Sequence, residues 1–437
     1  MKRKIYSKLL EWKTSTRRKP LILQGARQVG KSWILKEFGK NEYKNVAYIS
    51  CDNEPLAKAL FKDYDTDRIL RSIEAITEVP LIAGETLIIL DEIQEIPEGL
   101  SALKYLYENN PEHHIAIAGS LLGITLHTGI SFPVGKVDFL QMYPMDFEEF
   151  LWAKRETSLS KAISQKDLSL IDTLQSKCIE LLREYYFVGG MPEAVSAYIS
   201  DDSILEVRKI QKAILEAYRN DISKHAPIRE VERIQLVIRS LPAQLAKENK
   251  KFVYSALRKG ARAADFEIAI QWLVDAGIVS KVSRITTPKI PLAFYEDFNA
   301  FKLYLLDCGL FGAMVDAPVA EILLGTKIFE EYKGAFTELY VLQQLRSSIC
   351  EKVYYFSGDN SRIEIDFIIA LDSTVYPIEV KAEDNLKGKS LKLFRQEYSL
   401  PLAIRLSMCP YREQENLINI PLFATYALTN WINNKCL

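Results

Sequence analysis

"LILQGARQVGKSWILKEF", residues 21–38, is the stretch on which the fold turns. An apolar strand runs into Gly25-x-x-x-x-Gly30-Lys31-Ser32, and a helix with apolar residues at helical spacing follows. The glycines let the backbone turn its N–H groups toward an anion, and the N-terminus of the following helix adds a favourable dipole. Strand before and helix after are the context that makes a phosphate-binding loop credible. On this reading Gly25, Ala26, Arg27, Gln28, Val29, Gly30, Lys31, Ser32 and Trp33 line the nucleotide site. Lys31 is expected to bridge the β- and γ-phosphates, and the Ser32 hydroxyl to ligate magnesium.

A phosphate loop alone does not say what is done with the phosphate. "TLIILDEIQEIP", residues 86–97, supplies the second half, a strand of buried type ending in Asp91-Glu92. Asp91 is expected to hold Mg2+ through its water shell, and Glu92 to polarise the attacking water. A small-molecule kinase has no need of that second acid, so the pair points to hydrolysis; the plainer alternative is two acids capping a helix. "HHIAIAGSLLG", residues 113–123, is a further apolar strand ending in Gly119-Ser120. Ser120 is the candidate sensor of the γ-phosphate, against a simple helix cap.

At 437 residues the chain exceeds one hydrophobic core and calls for two to four domains. It is 48% hydrophobic and 26% charged with a net charge of −1, so any nucleic-acid binding has to come from local basic patches rather than the whole-molecule field. Six scattered cysteines, without CxxC spacing, argue against a zinc site and a disulfide framework and suit a reducing cytoplasm. "MKRKIYSKLLEWK" lacks an apolar run of signal-peptide length, and no segment approaches a membrane span.

Residues 145–220 carry long helical periods such as "LSLIDTLQSKCIELLREYYF", suiting a lid and connector. "FVYSALRKGARAADFEIAIQWLVDAGIVSKVSRI", residues 252–285, has the rhythm of helix, turn, helix and β-wing, with Gly277 at the exit. Lys247, Lys250, Lys251, Arg258, Lys259 and Arg262 face Glu248 alone there, which reads either as a duplex-facing patch or as a solvated face.

"IEIDFIIALDSTVYPIEVKA", residues 363–382, reads as two strands joined by a turn. Alternation puts Glu364 and Asp366 on one face of the first strand and Glu379 and Lys381 on one face of the second. Upstream, "YKGAFTELYVLQQL" is an amphipathic helix with Glu338 among apolar neighbours.

"GARQVGKS", "LDEIQ", "AGSLLG", "YPMDFEEFL", "YFVGGMPEAV" (186–195) and "KLYLLDCGLF" (302–311), in this order over nearly the whole chain, resemble the AAA-like ATPases of bacteria and archaea that are fused to a C-terminal domain of unknown function. One departure is Lys136, where the family commonly has arginine after the glycine; lysine cannot form the bidentate fork to a phosphate. The C-terminal acids resemble a PD-(D/E)xK nuclease-like core, with Ile365 in place of the proline. That resemblance implies catalytic roles for Glu338, Asp366, Glu379 and Lys381, with Asp366 and Glu379 as metal ligands, the Val380 carbonyl adding one more, and Lys381 acting on the water.

The expectation is therefore an α/β multidomain protein: a P-loop NTPase parallel sheet flanked by helices (1–144), a helical lid and connector (145–222), a winged-helix-like unit (223–290) and a PD-(D/E)xK nuclease-like α/β domain (291–437). Lys31, Glu92 and Ser120 are its catalytic candidates at the loop, with ATP and Mg2+ as cofactors. DNA or RNA is the candidate partner of a cytoplasmic, membrane-free protein, with a homo-oligomer left open and Arg183 and Arg219 as connector arginines. The alternative is an ATP-driven switch or scaffold whose C-terminal domain binds a partner without cleaving nucleic acid.

Overall fold

The computed structural model describes residues 1–52, 54–119, 133, 135–201, 203–247, 250–324, 327–358, 363–382 and 389–432, so Ser120 and Glu248 lie outside the described residues. The chain divides into two units, one of Met1–Tyr143 with Asp275–Gly277 and one of Pro144–Val274 with Ile278–Leu437.

In the first unit the strands β1 (Leu21–Gln24), β2 (Asn45–Ser50), β3 (Thr86–Asp91), β4 (His114–Ala118) and β5 (Asp138–Gln141) form one five-stranded sheet in the order β2-β3-β4-β1-β5. Every pairing is parallel, with Ile22 beside Ile117, Ile88 beside Ile115 and Ser50 beside Asp91. A parallel sheet covered on both faces needs strands without alternation, and β3 and β4 are buried at every residue. Phe61, just past one helix, and Ile69, Leu103 and Leu106, from the flanking helices, close the core over Ile88 and Leu90. Because β4 lies between β1 and β3, the loop after β1 and the acids after β3 share the carboxyl edge of the sheet, where open α/β sheets bind ligands.

Two glycines of the loop are required by geometry. Gly25 has φ 149°, and a Cβ there would lie 2.2 Å from the Met142 carbonyl oxygen. Gly30, with φ 95°, caps the helix Lys31–Glu42 from the left-handed region.

In the second unit a series of helices from Phe147–Ala153 to Ile228–Leu245 precedes a mixed sheet. Its strands are β6 (Val279–Ile285), β7 (Glu296–Leu305), β8 (Tyr354–Ser357), β9 (Glu364–Leu371), β10 (Thr374–Val380), β11 (Ala403–Ser407), β12 (Arg412–Gln414) and β13 (Leu417–Pro421), in the order β12-β13-β11-β10-β9-β8-β6-β7. The segment read from sequence as a β-wing contains β6, which pairs with β7 and also, in parallel, with β8, and so belongs to this sheet. Sequence spacing shows a strand there but not which strands flank it.

Three of the quoted segments meet in one buried network. Asp307 caps the helix Cys308–Met314 through the Leu310 N–H at 2.9 Å, while its other oxygen accepts from the Gly190 N–H at 2.6 Å and the Gln343 side chain at 3.1 Å. Gln343 also donates to the Tyr185 hydroxyl at 2.8 Å, which donates to the Met145 carbonyl at 2.5 Å. Met145 and Gly190 are joined by a backbone bond of 2.7 Å, and a Cβ on Gly190 would sit 2.0 Å from the Met145 oxygen. A fully satisfied buried network admits one packing and penalises others. Among the described residues no helix is long and apolar enough to cross a membrane.

At the start of β4 the buried His114 imidazole shares a 2.7 Å hydrogen bond with the Tyr43 hydroxyl. Burial first, and then Arg18 and Lys13, lower its pKa from 6.5 to about 4. Below pH 6.5 the unfolded chain takes up a proton that the folded chain refuses until about pH 4, so this stability is complete above 6.5 and falls with the pH. Urea denaturation at pH 7 and pH 5 is expected to show the wild type losing about 2 kcal/mol more than His114→Gln. Equal losses would show that His114 titrates normally.

Candidate functional site

Lys31 is buried, and its ammonium donates to the carbonyls of Gly25 at 2.9 Å and Ala26 at 2.7 Å. Burial lowers its pKa to about 8 against the pull of Glu92 and Asp91. Across the sheet edge the Ser32 hydroxyl donates to Asp91 Oδ1 at 2.9 Å, and the Tyr48 hydroxyl donates to Oδ2 at 2.9 Å. The Tyr48 phenol is pushed up to about 12 by burial and by that bond. A hydroxyl and a carboxylate in contact at the phosphate loop are hard oxygen donors that fit a hydrated magnesium ion.

Glu92 lies one residue past the end of β3 with φ 54°, which is uncommon for a residue with a Cβ. Its N–H donates to the Ala118 carbonyl at 2.8 Å, so the end of β4 fixes the turn, and its carboxylate accepts from the Gln94 side chain. Lys31, Ser32, Asp91 and Glu92 are thus brought together. Arg27 and Gln28 are exposed, as is Trp33, whereas Ala26 and Val29 are buried. Lys136 pairs with Glu108 at 2.9 Å. In the second unit Arg219 pairs with Glu216 at 3.2 Å and Arg183 donates to the Leu324 carbonyl at 3.4 Å.

Sequence reasoning missed Arg3, Tyr48 and Gln94. Tyr48 reads as an ordinary strand aromatic until β2 is paired with β3, and Arg3 reads as part of a solvated basic run. Gln94 stands inside "LDEIQ" with nothing to mark its target.

Three of the C-terminal acids are ion-paired within the second unit. Glu338, on the helix Lys327–Gln344, accepts from the Tyr304 hydroxyl at 2.9 Å and is ion-paired with Lys250. Asp366 accepts from the Val380 N–H at 2.7 Å, and burial, with Glu338 nearby, raises it to about 7. Lys302, 1% exposed, pairs with Glu364 at 2.8 Å. Burial acts to lower Lys302, but Glu338, Asp366 and Glu364 outweigh it and hold its pKa raised. Glu379, on β10, accepts from Arg405 at 3.1 Å and pairs with Lys381 at 3.3 Å.

The protein's own cations therefore match these carboxylates. Among the described residues no group of three or more His, Cys, Asp or Glu side chains converges to hold a metal ion. Asp366 and Glu379 stand on the paired strands β9 and β10, and Glu379 is ion-paired with Arg405 and Lys381. Lys302 was legible in one respect: a lone lysine inside the apolar run "AFKLYLL" requires a buried acidic partner.

Residues 17–151 match a family described as an AAA domain. Residues 179–321 and 333–425 match two domains of unknown function, DUF8612 and DUF4143. Among solved structures, the chain is similar to the Walker-type ATPase PABY2304 of Pyrococcus abyssi, at 16% identity, a TM-score of 0.45, and coverage of 72% of this chain and 95% of that one. It is also similar to the Orc1 protein of Aeropyrum pernix in complex with DNA (13% identity, TM-score 0.27, covering 73% and 92%). AMPPCP-bound DnaA from Aquifex aeolicus follows at 15% identity, TM-score 0.28, covering 62% and 86%. No curated protein matches the chain. The first unit is thus similar, over residues 17–151, to an AAA domain, and a second, mixed sheet lies in the second unit.

Removing the Lys302 ammonium leaves buried acids unmatched, which costs far more than losing a partner that can turn to water. Lys302→Met is expected to lower unfolding stability by about 3 kcal/mol, and Glu364→Gln, at a position 31% exposed, by less than about 1 kcal/mol. Denaturant titration of both variants decides this; equal losses would mean that the cluster is not coupled as described.

Proposed function

We propose that this protein binds ATP with magnesium at residues 25–33 and hydrolyses it. The observation that carries the reading is the 2.9 Å contact between Ser32 and Asp91, with Glu92 fixed beside it by the Ala118 carbonyl. Ser32 and Asp91 would hold the ion, which offsets charge building on the β- and γ-phosphates. Lys31 exchanges its two carbonyl acceptors for phosphate oxygens. Glu92 orients the attacking water and takes its proton, and Gln94 sets the carboxylate that does so.

For the second unit, the lysine-matched acids favour the reading in which it engages a partner, nucleic acid or protein, without cutting it. The element order agrees with a nuclease-like core: the helix bearing Glu338, the meander β8-β9-β10, the helix Lys389–Glu397, and β11 parallel to β10. A fold of that kind does not carry the activity with it. The unit then serves as the recognition end of a nucleotide-driven switch.

Glu92→Gln is expected to slow phosphate release by roughly 10²-fold or more while ATP still binds. Lys31→Ala is expected to lose binding itself. Phosphate release and equilibrium ATP titration on the same preparations test both; a Glu92→Gln rate equal to wild type would remove the catalytic assignment. With DNA or RNA and added Mg2+ or Mn2+, wild type and Lys381→Ala are expected to leave the strands equally intact on a denaturing gel. Nicking by wild type alone would restore the nuclease reading.

A further inference from the structure

The carbonyls of the loop are held from the inside by two cations. Lys31 takes those of Gly25 and Ala26, and Arg3 donates through Nη1 to the Val29 carbonyl at 2.9 Å. The other arm of Arg3, Nη2, donates to the Tyr143 carbonyl at 2.7 Å. That segment is itself anchored, because the Met142 N–H donates to Gln24 at 2.8 Å, at the last residue of β1. Arg3 is only 6% exposed, although Lys2 beside it is at the surface. A guanidinium presents diverging donors in one rigid plane, so Nη1 and Nη2 each hold one carbonyl in a fixed direction.

The direction of these bonds matters. A trans peptide is planar, so the N–H that follows a tethered carbonyl points the opposite way. Holding the Val29 carbonyl on the inner side turns the Gly30 N–H to the outer side, where a phosphate is received. Lys31 has three donors to divide between its two carbonyls and a phosphate, so nucleotide binding loosens one of the two inner cations. Arg3 is the cation that keeps its hold.

We infer that Arg3 is a positioning residue for the nucleotide, a clamp that keeps the loop preformed while Lys31 turns to the phosphates. The inference rests on the nucleotide reading above. A buried arginine that merely stabilises the unit would lower stability without singling out the loop or the affinity for ATP.

The test uses the full chain as wild type, Arg3→Met and Arg3→Lys. ATP affinity, the kcat and KM of phosphate release, and hydrogen–deuterium exchange without nucleotide are measured on each. In Arg3→Met, Kd and KM for ATP are expected to rise about tenfold with kcat within about twofold, and Arg3→Lys to fall between. In nucleotide-free Arg3→Lys, amide exchange across residues 25–32 is expected to quicken while β2 and β3 keep their protection. Unchanged ATP affinity, a loss confined to kcat, or exchange that quickens across the whole sheet would each overturn the inference. Should Arg3→Met fail to fold, Arg3→Lys decides. Should the wild type bind no ATP, the nucleotide reading fails, and exchange in Arg3→Lys alone decides the clamp.

Discussion

The hydrogen bond from Ser32 to Asp91 is the contact on which the first unit depends. It joins residues 59 apart in sequence, one in the helix that follows β1 and one at the end of β3, and β4 lies between those two strands. Only a parallel sheet of this order presents a loop and an acid side by side on its carboxyl edge. The apolar runs of β3 and β4 bury both faces, and Asp91 and Glu92 stand where β3 stops. Packing and polar contact are thus separated along β3: the interior packs, and the acids at its end meet Ser32, Tyr48 and Gln94.

Charge is handled differently in the two units. At the loop, cations rest on backbone carbonyls, acceptors that carry no net charge and are readily exchanged for phosphate oxygens. In the second unit, Glu338, Glu364 and Glu379 are each paired with a lysine or arginine at close range. In a low-dielectric interior, a matched pair is held far more firmly than an ammonium on carbonyls. The first arrangement is poised to accept a charged ligand, and the second resists one.

Much of this was legible beforehand where spacing alone carries the chemistry. Gly25, Gly30, Lys31 and Ser32 lie within one local turn, so their mutual geometry follows from the residue types. The acids Asp91 and Glu92 could be placed at a strand end by the apolar run before them. The C-terminal hairpin was also readable, as was the shared face of Glu364 and Asp366, because strand alternation is local. What alternation cannot show is the neighbour across the sheet: Lys302 from β7, Arg405 from β11 and Lys250 reach the acids only once eight strands are ordered.

The sequence by itself determined that a phosphate loop opens a helix, that an acidic pair ends a buried strand, and that four chemically capable residues stand in the C-terminal region. Those are properties of short segments, set by backbone sterics and the periods of helix and strand. The tertiary structure alone decided that Arg3 and Tyr48 belong to the loop's surroundings, and that the C-terminal acids face lysine and arginine. Partners of that kind are chosen by which strands lie side by side, and a one-dimensional pattern holds no record of that order.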